Sequence, residues 1–279
     1  MINRKKYKFK ITGSGPTGLI LALSFSKMNA DIFIYDLLDK DKLIDRDKTY
    51  AITHSSRIIL EEFDIWHKLE EKLSSFDSLS ITDTFTSSSA VFNLSDLDKD
   101  IRGIKKIGWV LKHSDLTEIL FRELENFKNI HFNSYENTTN NSFDFEFIAY
   151  GANHVSRKKK YRFIFNHLYG QSCLTFKALI RGLDQERAYE IFRKEGPLAL
   201  LPLNKDIYQV IWTDSNQRSI DKLNTKKSLL LDNLSTILPS QTHVDQIIGD
   251  LNIFPVSLSL NFNNFKIDKS LYLGDAFHT

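Results

Sequence analysis

Three glycines near the N-terminus have the spacing that phosphate binding uses. Gly13-Ser14-Gly15-Pro16-Thr17-Gly18 fits the pattern G-x-G-x-x-G. In that pattern the first glycine permits a tight strand-to-helix turn and the second lets the backbone approach a pyrophosphate. The third lets helix and strand pack closely. Asp36 follows 18 residues after Gly18, close to the ~20-residue interval of an acid that binds a ribose hydroxyl. Together these residues point to an ADP-containing dinucleotide. The same glycines would also serve a phosphate-free βαβ unit that needs them only for packing.

The elements that must position these residues lie on either side. Tyr7-Lys8-Phe9-Lys10-Ile11 alternates apolar and polar residues, as a strand with one covered face does. Leu19-Ile20-Leu21-Ala22-Leu23 is a helix-forming run. It predicts a helix reaching about Met28, with Asn29 at its C-terminal cap. Its N-terminus would offer free N–H groups and a positive dipole end to phosphates. Asp31-Ile32-Phe33-Ile34-Tyr35 is a second strand, ending on Asp36. Strand, triplet, helix, strand and acid make the motif more than a lone triplet, but they do not separate FAD from NAD(P).

Composition removes several function classes. The chain has 279 residues, 42% hydrophobic and 26% charged, an ordinary globular balance that argues against disorder. Lys plus Arg number 37 against 35 Asp plus Glu, a formal charge of +2, so nothing general points to nucleic acid. A single cysteine, Cys173, excludes an internal disulfide framework and a cysteine-based metal site, and is compatible with a reducing cytoplasm. The 8 histidines have no metal-ligand spacing, so no metal site is expected. No G-x-S-x-G elbow supports Ser-His-Asp hydrolysis. The basic start Arg4-Lys5-Lys6 is not followed by the apolar run of a signal peptide. The longest apolar stretch, 19–25, is interrupted by Ser24 and is far short of the ~20 residues of a membrane span. The expectation is a cytoplasmic protein, at most peripheral on the inner face of the membrane.

Two further segments carry a likeness to flavoproteins. Phe145-Glu146-Phe147-Ile148-Ala149-Tyr150-Gly151 leads through a small-residue turn to Arg157, and Lys269-Ser270-Leu271-Tyr272-Leu273 leads into Gly274-Asp275-Ala276-Phe277-His278. With the glycine motif, these resemble the signatures of the group-A flavoprotein aromatic hydroxylases, which occur in this order. Between them, Tyr189-Glu190-Ile191-Phe192 and Gly196-Pro197-Leu198-Ala199-Leu200-Leu201-Pro202 are similar to the F-E-x-F and G-P-L-A-x-L-P segments of the ubiquinone-biosynthesis hydroxylases. These form the 2-octaprenyl-6-methoxyphenol hydroxylase family. The likeness runs from about residue 7 to the end.

The resemblance implies an α/β fold, with a Rossmann-like FAD/NAD(P)-binding domain and an inserted, mainly β substrate domain. The first would take residues 1–75, 105–157 and 268–279, the second 76–104 and 158–267. It implies FAD as cofactor, NAD(P)H as reductant, O₂ as oxidant and a polyprenyl phenol of ubiquinone biosynthesis as the hydroxylated substrate. Contact with a membrane or a quinone-making complex would follow from such a substrate. Gly13, Gly15, Gly18, Asp36, Arg157, Gly274 and Asp275 are the expected cofactor contacts. Asp275 could instead cap a helix starting at Ala276, and Arg157 could be a solvated surface residue. The run Arg157-Lys158-Lys159-Lys160-Tyr161-Arg162 reads as a solvated face or as a contact for anionic lipid.

The chain also departs from the family. Tyr150 and His154 stand where its middle motif has Asp and Ser, and Lys48 replaces an Arg, keeping the charge but losing the planar fork. The chain stops at Thr279, where relatives continue, which reads as a truncated or partial frame. A different flavin or nicotinamide oxidoreductase of the same fold, or a non-catalytic FAD-binding chain, are the rival readings. Residues 196–203 and 207–212 predict two strands joined by a polar turn, with Pro202 marking an edge or a bulge. Leu116 to Leu124 has helical spacing. His113 falls near that helix start, where relatives place a flavin-contacting polar residue.

Overall fold

The glycine pattern folds into the alternation anticipated from it. A computed structural model describes residues 5–96, 105–134, 142–151, 164–261, 266, 267 and 269–278. The chain opens with β1 (Tyr7–Thr12), α1 (Pro16–Phe25) and β2 (Ala30–Asp36), then α2 (Lys40–Ile44), β3 (Thr49–Ile52), α3 (His54–Glu62) and α4 (Trp66–Leu69). Strands β4 (Ser74–Phe76), β5 (Ser78–Asp83), β6 (Ser88–Asn93) and β7 (Gly108–Lys112) follow, with α5 (His113–Leu124), β8 (Ile130–Ser134) and β9 (Phe145–Ile148). The second half holds β10 (Ile164–Arg181), β11 (Arg187–Phe192), β12 (Leu198–Asn204), β13 (Ile207–Ser215), α6 (Asn216–Asn224) and α7 (Lys227–Ser235). It ends with β14 (His243–Asn261), β15 (Lys266–Ile267) and β16 (Ser270–Tyr272).

The first sheet has the order β15-β16-β9-β1-β2-β8. From β16 to β8 every pairing is parallel, so the carboxyl ends of these strands share one edge. Helices α1 and α5 pack against the sheet, and Phe9, Ile11, Ile32 and Ile34 join Leu19, Leu116 and Leu120 in one buried cluster. Each such side chain fully removed from water contributes ~1.5–3 kcal/mol.

The second sheet has the order β14-β10-β13-β12-β11-β5-β6. Leu174, Phe176, Val210 and Trp212 from one face pack with Leu230 and Leu234 of α7. The opposite face meets a small antiparallel sheet, β3-β7-β4, where Ala188 and Leu203 pack with Phe76 and Val110. Neighbouring Trp109 turns the other way into the first cluster, as alternation along a strand requires. It makes an edge-on pair with Trp66 at 4.9 Å, under the Arg57 guanidinium.

One local expectation changes, and for Pro202 the bulge is selected over the edge. α1 ends at Phe25, earlier than Met28, because the hydroxyls of Ser24 and Ser26 donate to the carbonyls of Leu21 and Leu23. Those bonds satisfy acceptors at the helix end. Pro202 is not on an edge strand, since β12 lies between β11 and β13. Its missing donor is accommodated by a register shift between Pro202 and Asn204. The β12–β13 turn at Lys205 and Asp206 has φ of 41° and 65°, the left-handed backbone of a tight hairpin.

Gly18 controls how closely α1 lies on β1. A β-carbon there would sit 1.9 Å from the Gly13 carbonyl oxygen, which only a movement of helix against strand could relieve. Gly18→Ala is therefore expected to lower unfolding free energy by roughly 1–3 kcal/mol. Gly15→Ala, whose β-carbon would meet nothing within 4 Å, should stay within about 0.5 kcal/mol of the parent. Urea denaturation of the ligand-free proteins measures both, and equal losses would contradict the distinction.

Candidate functional site

At the carboxyl edge of the parallel sheet, residues from distant parts of the sequence meet. The Gly13 N–H donates to the Tyr35 carbonyl at 2.7 Å, the Ala149 N–H to Thr12 at 2.8 Å and the Leu273 N–H to Ile148 at 2.9 Å. These bonds carry the parallel pairing just past the strands and hold four loop starts side by side. Gly13 has φ +106°, and a β-carbon there would meet the Ala149 carbonyl oxygen at 2.5 Å. Gly274 (φ +57°) lies against Thr17, in the first turn of α1.

A cleft of about 580 Å³ opens at this edge. Gly13, Gly15, Asp36 and Asp275 line it, together with Tyr150 and Gly151. Gly18 lies behind it at the helix–strand contact, Gly274 adjoins Asp275, and Arg157 lies outside the described residues. So does the basic run 157–162, along with His154. Asp275 is in the short helical turn Gly274–Ala276 and is exposed. Among the described residues no helix starts at Ala276, the alternative role read for Asp275.

Asp36 has a role beyond the one read from its spacing. One carboxylate oxygen accepts from the Ser14 N–H at 2.7 Å and the Ser14 hydroxyl at 2.9 Å, and the other accepts from the Leu38 N–H at 3.1 Å. The carboxylate therefore latches the glycine loop to the end of β2. An ionised carboxylate has about four acceptor positions, so capacity for a further donor is left.

The N-terminus of α1 has no side-chain cap. Its first turn faces the cleft, lined there by Gly15, Pro16 and Thr17. Arg46 and Lys48 bring positive charge to the same wall, and among the described residues neither has an ion-pair partner. The uncapped N–H groups, the helix dipole and the Arg46 guanidinium make this wall attractive to an anion, while the Lys48 ammonium lies 5.9 Å from the centre of the Phe254 ring. With the open space before Gly15, these residues fit the pyrophosphate of an ADP-containing dinucleotide. Arg46 was not read from the sequence, because no motif marks it, and Lys48 was noticed only as a departure from a family pattern.

Tyr50 and His113 are joined on the same wall. The Tyr50 hydroxyl lies 2.7 Å from His113 Nδ1, and His113 Nε2 lies 2.7 Å from the Leu43 carbonyl oxygen. A carbonyl only accepts, so Nε2 carries the proton, and neutral Nδ1 accepts from Tyr50. The ring of His113 is 1% exposed, and both its nitrogens are engaged within the protein. Burial holds His113 below the ordinary imidazole pKa and nearby Arg46 and Lys48 add to this, against the Leu43 hydrogen bond. Burial likewise raises the Tyr50 phenol.

Beyond Tyr50 and Lys48 a second chamber of about 250 Å³ reaches Thr175, Gln209, Ile211 and Phe254 on the larger sheet. The Thr49 hydroxyl donates to Gln209 at 3.1 Å and ties its wall to that sheet. Among the described residues, no group of three or more His, Cys, Asp or Glu side chains could hold a metal ion. No helix among them is long and apolar enough to cross a membrane.

No protein-family model matches the chain. It is 22% identical over 297 residues to the uncharacterized protein slr1300 of Synechocystis sp., covering 99% of this chain and 70% of that protein. Its fold is similar to that of p-nitrophenol 4-monooxygenase PnpA from Pseudomonas putida, with a TM-score of 0.77 and 14% identity over 97% of this chain and 72% of that one. PqsL of Pseudomonas aeruginosa, a probable FAD-dependent monooxygenase, aligns with a TM-score of 0.76 and 12% identity over 98% and 79%. The flavin-dependent halogenase CmlS aligns with a TM-score of 0.75 and 15% identity over 99% and 54%. The chain thus has the fold of FAD-dependent monooxygenases and halogenases, a Rossmann-like parallel sheet with a β-rich second sheet.

Asp36→Ala should destabilise the ligand-free protein by about 1.5–3 kcal/mol, since charge-assisted hydrogen bonds are lost. A ligand-free stability equal to the parent's would show that the latch contributes nothing. For His113, the folded pKa lies below the unfolded value of about 6.5. Its contribution is fully present above that value and is lost as pH falls toward the folded pKa, where the unfolded chain binds the proton first. Between about pH 7.5 and 5.5 the parent should therefore lose more stability than His113→Gln, and parallel pH profiles in urea denaturation would contradict this.

Proposed function

We propose that this protein is an FAD-dependent aromatic-ring monooxygenase, with the cleft at the carboxyl edge of the parallel sheet as its FAD site. The observation that carries the reading is the open space before Gly15, bounded by the uncapped N-terminus of α1 and by Arg46 and Lys48. The fold shared with flavin-dependent enzymes supports FAD over a nicotinamide nucleotide as the resident group. The glycine loop and α1 would hold the pyrophosphate, while Asp36 and Asp275 would accept from ribose or ribityl hydroxyls. Bound FAD would supply electron transfer and oxygen activation.

The protein's part is to orient a ring and to exclude water. We assign the ring to the chamber beyond Tyr50, where Ile211 and Phe254 offer apolar contact and Lys48 offers a cation to a phenolate oxygen. NAD(P)H as reductant and O₂ as oxidant complete this reading. Its finer form, hydroxylation of a polyprenyl phenol in ubiquinone biosynthesis, is supported by the likeness of residues 189–202 to that family. A substrate of that kind would bring the protein into peripheral contact with a membrane or a quinone-making complex. Tyr150, which stands where the family has Asp, favours a second reading, a chain that binds FAD without catalysis.

Purification with a flavin spectrum, followed by FAD titration, tests the first step. FAD should bind, and Gly15→Val should weaken binding by at least roughly 10-fold by filling the space before the phosphates, with stability retained. Phenol-dependent NAD(P)H oxidation with oxygen uptake would then be expected, whereas FAD binding without turnover would select the second reading. A folded protein that binds no FAD at saturating concentration would refute both.

A further inference from the structure

Among the described residues, Lys48 and Tyr50 alone line both the cofactor cleft and the smaller chamber. Tyr50 is held there by more than its strand. The His113 backbone N–H donates to the Lys48 carbonyl at 2.8 Å, which brings the start of α5 beside β3. The imidazole then bridges the Tyr50 hydroxyl and the Leu43 carbonyl at 2.7 Å each. Thr117, one turn along α5, packs its hydroxyl 3.2 Å from Nε2.

The direction of this chain is set at its far end. The Leu43 carbonyl has no proton to give, so Nε2 donates, Nδ1 accepts, and the Tyr50 proton is committed to Nδ1. What Tyr50 can offer outward is oxygen lone pairs. We propose that His113 is a positioning residue that fixes the Tyr50 hydroxyl as a hydrogen-bond acceptor toward the flavin half of bound FAD, for an N–H or a ribityl O–H. This rests on the reading of the cleft as an FAD site. The assignment differs from a direct flavin contact by His113, whose two ring nitrogens are both used inside the protein.

FAD and ADP titrations of the parent, Tyr50→Phe, His113→Leu and His113→Gln test it, because ADP lacks the flavin half. Tyr50→Phe should weaken FAD binding roughly 5- to 10-fold, the worth of one hydrogen bond, and leave ADP binding within about 2-fold. His113→Leu should match it, and the double variant should be no weaker than either single one. His113→Gln should stay near the parent, since its amide can accept from Tyr50 and donate to Leu43. If His113→Leu does not fold, Tyr50→Phe and His113→Gln carry the test. ¹⁵N-histidine NMR of the ligand-free parent should show His113 neutral and protonated on Nε2, and protonation on Nδ1 would overturn the proposal. Unchanged FAD binding by Tyr50→Phe, or equal losses for FAD and ADP, would overturn it and leave the FAD site standing. A parent that binds no FAD would overturn both.

Discussion

The absence of a side chain at Gly18 is the constraint on which the rest of the structure depends. The Gly13 carbonyl oxygen occupies the place a β-carbon would take, at 1.9 Å, so α1 can lie directly on β1. That approach lets Leu19 and Ala22 reach full burial beside Ile11 and Ile32. It also aims the helix N-terminus at the sheet edge where β1, β2, β9 and β16 all end. A helix displaced outward would still form, but its dipole end and its uncapped N–H groups would leave the cleft. Core packing and the direction of the helix dipole are thus two consequences of one close contact.

The second constraint is the wedge between the large sheets. β3 pairs with β7 and packs with the parallel sheet's core, yet Thr49 bonds to Gln209 and Asp47 to Lys177 on the larger sheet. Alternation then turns Tyr50 and Lys48 the opposite way from Thr49. The residues that divide the two cavities are fixed from both sides, and the exposed Asp47–Lys177 pair adds position more than energy. Val110 and Phe76 fill the gap with Ala188 and Leu203, so the contact between the sheets there is apolar.

Much of this was legible wherever the cause is local. The glycine loop, its flanking strands and the β12–β13 hairpin each depend on a few neighbouring residues, and they formed as read. α1 ended early because two serine hydroxyls compete for its last carbonyls, a detail hidden behind an otherwise apolar run. Pro202 was correctly seen as an obstacle to pairing. Of the two alternatives, an edge or a bulge, the bulge is the one that forms, because β11 and β13 pair with β12 on both sides. Asp36 was found by spacing, but its bonds to Ser14 and Leu38 were not, since spacing describes a ligand contact and not a loop latch. Tyr50 and His113 are 63 residues apart and meet only through β3–β7 pairing, so no sequence pattern joins them.

Tyr150 is best understood through the charges around it. It packs beside Ile148, Tyr272, Ala276 and Phe277, while its edge lines the cleft. The ionised groups on the cleft wall are Arg46, Lys48, Asp36 and Asp275. An acid at position 150 would add a third carboxylate near the dipole end of α1, and a pyrophosphate would then meet a more negative wall. Tyrosine removes that charge and contributes apolar area to the joint between β9 and β16. The carboxylates on the cleft wall are Asp36, already partly committed to its own loop, and Asp275, which is exposed. Asp275 sits in the short turn that Gly274 makes against Thr17.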